Sequence, residues 1–222
     1  IPYPSSLTMP FSTADIADAI AAGLRRRAAE DDAAQAVYGF DGQSELALHP
    51  LLHAALRDAG FHVLTEQRYP ADWLKASRSE GKRCDIVLTR EPLALRDPLI
   101  RGTLFDDQPA SDVEDAYYLE VKTVAQFEAD GPFRRYSAEL LGAVTQDVSK
   151  LYRDAQLIHS GLLVVLFTAD EATASHDLRA WLDRAWAKKY PVQPPARRGF
   201  AITNRVGNGW CEVAVFAVKG GR

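Results

Sequence analysis

Asp85 opens an apolar run in Arg83-Cys84-Asp85-Ile86-Val87-Leu88, and the run Tyr117-Tyr118-Leu119-Glu120-Val121-Lys122 carries an acid and a base at alternate positions. Side chains two apart on a strand share a face, so Glu120 and Lys122 project together while Leu119 and Val121 face the other way. Burying such charges costs several kcal/mol, roughly, unless they are paired or bound to metal. A divalent cation supplies a reason for them. Two carboxylates, a backbone carbonyl and waters form the all-oxygen shell that suits Mg²⁺, an ion that keeps several waters and binds through one or two carboxylates plus substrate phosphate.

The elements that must position these residues are read from periodicity and punctuation. Ser12 and Thr13 with Asp15 mark a helix start, and Ile16, Ile20 and Leu24 recur at helical spacing, which predicts an amphipathic N-terminal helix. A second helix is expected over 44–59, with Leu48, Leu52, Ala55 and Leu56 as its apolar stripe and Gly60 as its stop. Pro50 lies inside it, so either the helix kinks there or its regular part starts at Pro50, with Glu45 on a preceding turn. Strands are expected over 61–69, 83–89 and 116–123, then a helix over 136–156, a strand over 161–168 and a helix over 175–189. The runs 200–206 and 210–218, joined by Gly207-Asn208-Gly209, predict a closing β-hairpin. The polar stretch 90–115, with Pro92, Pro98, Gly102 and Pro109, reads as an insertion.

At 222 residues the chain is read as a single domain with one sizeable core. Ile1 to Thr8 precede the only methionine, Met9, and read as an added or upstream extension outside the fold. A net charge of −4 argues against a protein that coats nucleic acid by bulk charge and leaves room for a local basic cleft. Cys84 and Cys211 flank apolar runs and read as small buried hydrophobes of a reducing compartment, not as a disulfide or a zinc site. No apolar run approaches the roughly 20 residues of a membrane span and no secretory leader is visible, so a cytoplasmic location without membrane contact is expected.

With these residues and this element order, the chain resembles the restriction-endonuclease-like nucleases of the PD-(D/E)xK type. Asp85 matches the acid at the start of the second core strand, Glu120-Val121-Lys122 the acid-x-lysine triplet on the third, and Glu45 a further acid on the first core helix. The match covers about residues 44–168, leaving 1–43 and the accessory elements 169–222 outside the shared core. It departs from the pattern where Cys84 stands in place of the proline, and in the long spacing created by the 90–115 insertion. The resemblance implies an α/β fold with an αβββαβ core, in which a central mixed sheet is flanked by helices. It also implies a Mg²⁺- or Mn²⁺-dependent nuclease whose substrate is nucleic acid, DNA before RNA, and which works as a homodimer if it cuts both strands of a duplex. Asp85, Glu120 and the Val121 carbonyl would hold the metal, Lys122 would orient or deprotonate the attacking water, and Glu45 would complete the shell. Gln146 and Lys150, four apart on one helix face, would touch substrate or support the acids; Arg134 and Arg135 would contact phosphates.

Competing readings set the scale. Glu80-Gly81-Lys82 repeats the triplet but lies outside any apolar run and reads as an exposed turn. His49 and His53 have metal-compatible spacing without an intervening acid, and read as core or surface residues. Trp181, Trp186, Tyr117 and Tyr118 read as packing, and Asp106, Asp107, Asp112, Glu114 and Asp115 as a solvated acidic loop. Arg197, Arg198, Arg205 and Lys219 of the terminal hairpin are candidates for lining a nucleic-acid groove. The alternative function is a non-catalytic module on the same fold that binds nucleic acid or protein; a third is an unrelated α/β protein with an acidic pocket for a small phosphorylated ligand.

Overall fold

The computed structural model describes residues 11–73, 82–104, 106 and 108–219; Glu80-Gly81 and Asp107 lie outside the described residues, as do positions 1–10. Helix α1 (Thr13–Ala33) starts where Ser12 accepts a hydrogen bond from the Ala14 N–H at 3.1 Å, and it buries Ile16, Ile20 and Leu24. It crosses α2 (Glu45–Asp58) closely: a Cβ added at Gly23 would come within 2.4 Å of the Ala55 Cβ.

The start of α2 settles the question raised by Pro50. Ser44 caps the helix through the Ala47 N–H at 3.3 Å, the helix begins at Glu45, and Pro50 lies inside it. The donor that proline lacks would have served the Leu46 carbonyl, and Leu46 is 75% exposed, where water can take that acceptor. Glu45 therefore sits on the first turn of a regular helix.

Six strands form one mixed sheet: β1 (His62–Arg68), β2 (Arg83–Thr89), β3 (Tyr117–Ala125), β6 (His159–Thr168), β7 (Ala196–Ala201) and β8 (Trp210–Val218), in the spatial order β1-β2-β3-β6-β8-β7. A short ribbon, β4 (Phe127–Glu128) with β5 (Gly131–Pro132), follows β3. Within the six-stranded sheet only β3 and β6 run parallel, from Tyr117 beside His159 to Ala125 beside Phe167. A parallel pair requires a crossover, supplied here by α4 (Tyr136–Ala138), a π-helical turn (Glu139–Ala143) and α5 (Val144–Arg153). Helix α3 (Pro70–Trp73) is a single turn after β1, and α6 (Glu171–Ala187) follows β6.

Each face of the sheet carries its own core. Leu119, Val121, Leu163 and Val213 pack under α1 and α2, whereas Tyr118, Val124, Leu162 and Phe216 pack under α5 and α6, where Trp181 meets Phe216 edge-on at 4.6 Å. Tyr117 and Tyr118 are buried, as are the free thiols Cys84 and Cys211. Trp186 is half-exposed, its indole N–H donating to the Val192 carbonyl at 2.9 Å. Among the described residues no helix is long and apolar enough to cross a membrane.

Several boundaries differ from expectation where a side chain bonds the backbone. The helix expected to reach residue 156 stops at Arg153, because Asp154 turns extended and its carboxylate accepts from the Ala71 and Gln156 N–H groups at 2.9 and 3.0 Å. Helix α6 starts at Glu171, four residues early, because Asp170 caps the Thr173 N–H at 2.7 Å. The C-terminal hairpin uses β7 at Ala196–Ala201, not 200–206. Buried Asn208 is tied to the Phe127 backbone and to Asp41, at 3.0 to 3.1 Å, so the Gly-Asn-Gly stretch anchors a long loop instead of forming a tight turn. The insertion's acids are not merely solvated: Arg96 bonds both Asp106 and Asp112, and Arg101 pairs with Glu114 at 2.7 Å.

Candidate functional site

The pairing of β2 with β3 ends at Ile86 beside Leu119, one position before Asp85 would face Glu120. On its other side, β2 pairs with β1 at Cys84 and Ile86 but skips Asp85, opposite Glu66, whose φ of 53° lies in the left-handed region. The sheet thus opens toward β3 from Asp85, while β1 and β2 lose a single pair there and resume at Gln67 beside Cys84. Beyond that point the β3 edge that β2 has left presents bare N–H groups, and carboxylates take them: Asp85 Oδ2 accepts from Val121 at 2.8 Å, and Glu45 Oε2 from Thr123 at 2.8 Å. A strand residue's N–H and C=O point to the same edge, so the register turns the Val121 carbonyl toward this cleft.

Glu120, only 1% exposed, is the most deeply placed acid of the group. The Tyr69 hydroxyl donates to its Oε1, and the Lys150 ammonium lies 3.0 Å from its Oε2 and 2.7 Å from Asp147. Burial, reinforced by the neighbouring Asp85 charge, pushes the Glu120 carboxyl up to about 7 despite the opposing pull of Lys150 and Tyr69. Burial raises Asp85 too, against the Val121 N–H and the nearby His49 and Lys150. Burial works against the Lys150 ammonium, but Glu120 and Asp147 outweigh it and hold the group above the ordinary lysine range. Lys122 Nζ lies 3.3 Å from Glu45 Oε2, with both side chains partly open to solvent.

The structure therefore brings Asp85, Glu120, Lys122, Glu45 and Lys150 together at the split between two strands. Gln146 is exposed on the same helix as Lys150 and lines a groove beside it. Arg134 is exposed before α4, and Arg135 pairs with Glu139 one helical turn on, at 3.0 Å. Three of the terminal-hairpin arginines are committed elsewhere: Arg197 to Glu212 at 2.9 Å, Arg198 to Asp18 through two bonds, and Arg205 to Asp32. Their charges are consumed in holding β7 and the following loop to the rest of the chain, which removes them as a free basic surface.

Sequence reasoning missed the parts played by Tyr69 and Asp147. Tyr69 follows β1 directly and has no motif. Asp147 stood three residues before Lys150, a spacing that places the two on one helix face and was legible. His49 lies one turn after Glu45 and is buried, its Nε2 without a hydrogen-bond partner among the described residues; burial and its neighbour also bring His53 down to about 4.

Asp85 makes its one bond through Oδ2, Glu120 has both oxygens engaged, and among the described residues no group of three or more His, Cys, Asp or Glu side chains is assembled as a metal cage. A two-carboxylate site completed by water and phosphate would need Lys150 to yield Oε2 of Glu120. No family model, curated protein or solved structure matches the chain.

Proposed function

We propose that the chain is a divalent-metal-dependent nuclease of the restriction-endonuclease-like type, acting on DNA in preference to RNA. The observation that supports this reading is the break in the sheet at Asp85, whose carboxylate turns onto the Val121 N–H, next in the chain to Glu120, with Lys122 paired to Glu45 on the same stretch of β3. Asp85, Glu120 and the Val121 carbonyl would hold Mg²⁺ or Mn²⁺; when bound, the ion supplies a Lewis acid for the phosphoryl oxygens and a water acidic enough to act near neutral pH. Lys122, steadied by Glu45, orients that water and places positive charge where negative charge grows on the phosphoryl group. Tyr69 and Lys150 fix the orientation of Glu120.

One observation favours the second reading, a non-catalytic binding module: Lys150 already neutralises Glu120 without any ion. Calorimetric titration with Mn²⁺ separates the two. The nuclease reading expects saturable binding that Asp85→Asn weakens at least tenfold; no binding by the wild-type protein supports the module.

A further inference from the structure

Among the described residues two openings flank the acid site, and they differ in sign. One, of about 500 Å³, is lined by Asp41, Glu45, Glu128, Asp130 and Glu139. The other, of about 680 Å³ between α5 and the end of α6, is lined by Lys82, Lys150, Arg153, Arg184 and Lys188, with no acid among its lining residues. Lys150 is held by Glu120 and Asp147, but Lys82, Arg153, Arg184 and Lys188 are exposed and form no ion pair among the described residues. In a chain of net charge −4, four cations without an ion pair among the described residues, gathered in one groove, are a local exception. Arg184 and Lys188 also complement the C-terminal end of the α6 dipole. That does not account for Lys82, just before β2, and Arg153 on α5, which come to the same groove from other parts of the fold. Tyr190 lines the groove and packs edge-on to half-exposed Tyr152, with ring centroids 6.4 Å apart.

We propose that this groove seats the backbone of a single-stranded nucleic acid and leads it to the Glu120 end of the acid site. The proposal deepens the nuclease reading and rests on it for the site to which the strand is led. Lys82, Arg153, Arg184 and Lys188 neutralise successive phosphates, and the tyrosine pair offers a ring for a base to stack on. A duplex fits less well, because its second backbone would approach the acid-lined opening and be repelled.

The test is fluorescence anisotropy in EDTA with a labelled oligonucleotide, single-stranded or annealed, comparing the wild type with Arg153→Ala/Arg184→Ala/Lys188→Ala and with Tyr152→Ala. All four positions are exposed, so folding is expected to survive and is verified by circular dichroism. The triple variant should lose at least tenfold in single-strand affinity and flatten the slope of log K against log salt by about 2. Tyr152→Ala should lose about tenfold for the single strand and little for the duplex. Absence of wild-type binding, tighter binding of the duplex, or an unchanged triple variant overturns the proposal. A parallel arm in Mg²⁺ keeps the two ideas apart. Binding through the groove without cleavage sinks hydrolysis and leaves the groove standing; cleavage with an unaltered KM in the triple variant does the reverse.

Discussion

Asp85 and Val121 are joined by a carboxylate-to-backbone bond of 2.8 Å at the position where their strands stop pairing. Asp85 thus serves the fold and the site at once, and the two roles come apart by substitution. Asp85→Asn keeps an oxygen for the Val121 N–H and should leave stability within about 1 kcal/mol, while activity falls at least 100-fold. Asp85→Ala strands that N–H and should cost about 1–3 kcal/mol. Urea melts read beside a cleavage assay check both.

The Glu120 carboxyl gives the fold a pH dependence of defined sign. Its proton is held up to about 7 in the native state, against an ordinary value of 4.5, so the native state binds protons more tightly than the unfolded one between those limits. The stability contributed by the neutral acid is complete below 4.5 and lost as pH rises through about 7, a change on the order of 3 kcal/mol. Glu120→Gln should remove that decline. Denaturation midpoints of the two proteins at pH 5 and pH 8 test it, and parallel pH trends would contradict the assignment.

Lys150 is the internal counter-ion of Glu120. Removing it by Lys150→Ala leaves a buried acid without its partner. The expected cost is about 2 kcal/mol at pH 8, below that of a fully buried pair because the ammonium is partly solvated. The deficit should shrink toward pH 5 as Glu120 takes a proton. Added Mn²⁺ should raise the melting temperature of this variant more than that of the wild type, the ion taking the place of the ammonium. Equal shifts would mean that Lys150 and the ion do not compete for Glu120.

Lys122 and Glu45 meet where solvent still reaches both, so their pair should add at most about 1 kcal/mol to stability. Lys122→Ala is therefore expected to fold normally and to lose at least 100-fold in cleavage. A double-mutant cycle with Glu45→Gln should show strong coupling in activity and little in melting temperature.

Much of this architecture was legible in the residues. The run from Arg83 to Thr89 is the observed β2 without adjustment, and the alternation that set Leu119 and Val121 opposite Glu120 and Lys122 agrees with the two cores, Leu119 and Val121 in one and Tyr118 and Val124 in the other. Apart from the start of α6, which the local cap Asp170 sets, errors arose where a side chain far away in sequence decides a local matter. Asp154 ends α5 because it reaches back to Ala71, and Asn208 undoes the expected tight turn because it is bonded to Phe127 and Asp41. No local pattern encodes such bonds. The basic groove was hidden for the same reason: Lys82, Arg153 and Arg184 stand far apart in the chain, whereas the visible arginine cluster near the C-terminus turned out to be paired internally.

The most direct measurement is cleavage of labelled DNA and RNA, single- and double-stranded, in Mg²⁺, Mn²⁺ or EDTA by the wild type, Asp85→Asn and Lys122→Ala. The account predicts cutting that requires the metal and vanishes in both folded variants. Cutting that persists in EDTA or in either variant, or no cutting of any substrate with either metal, contradicts it.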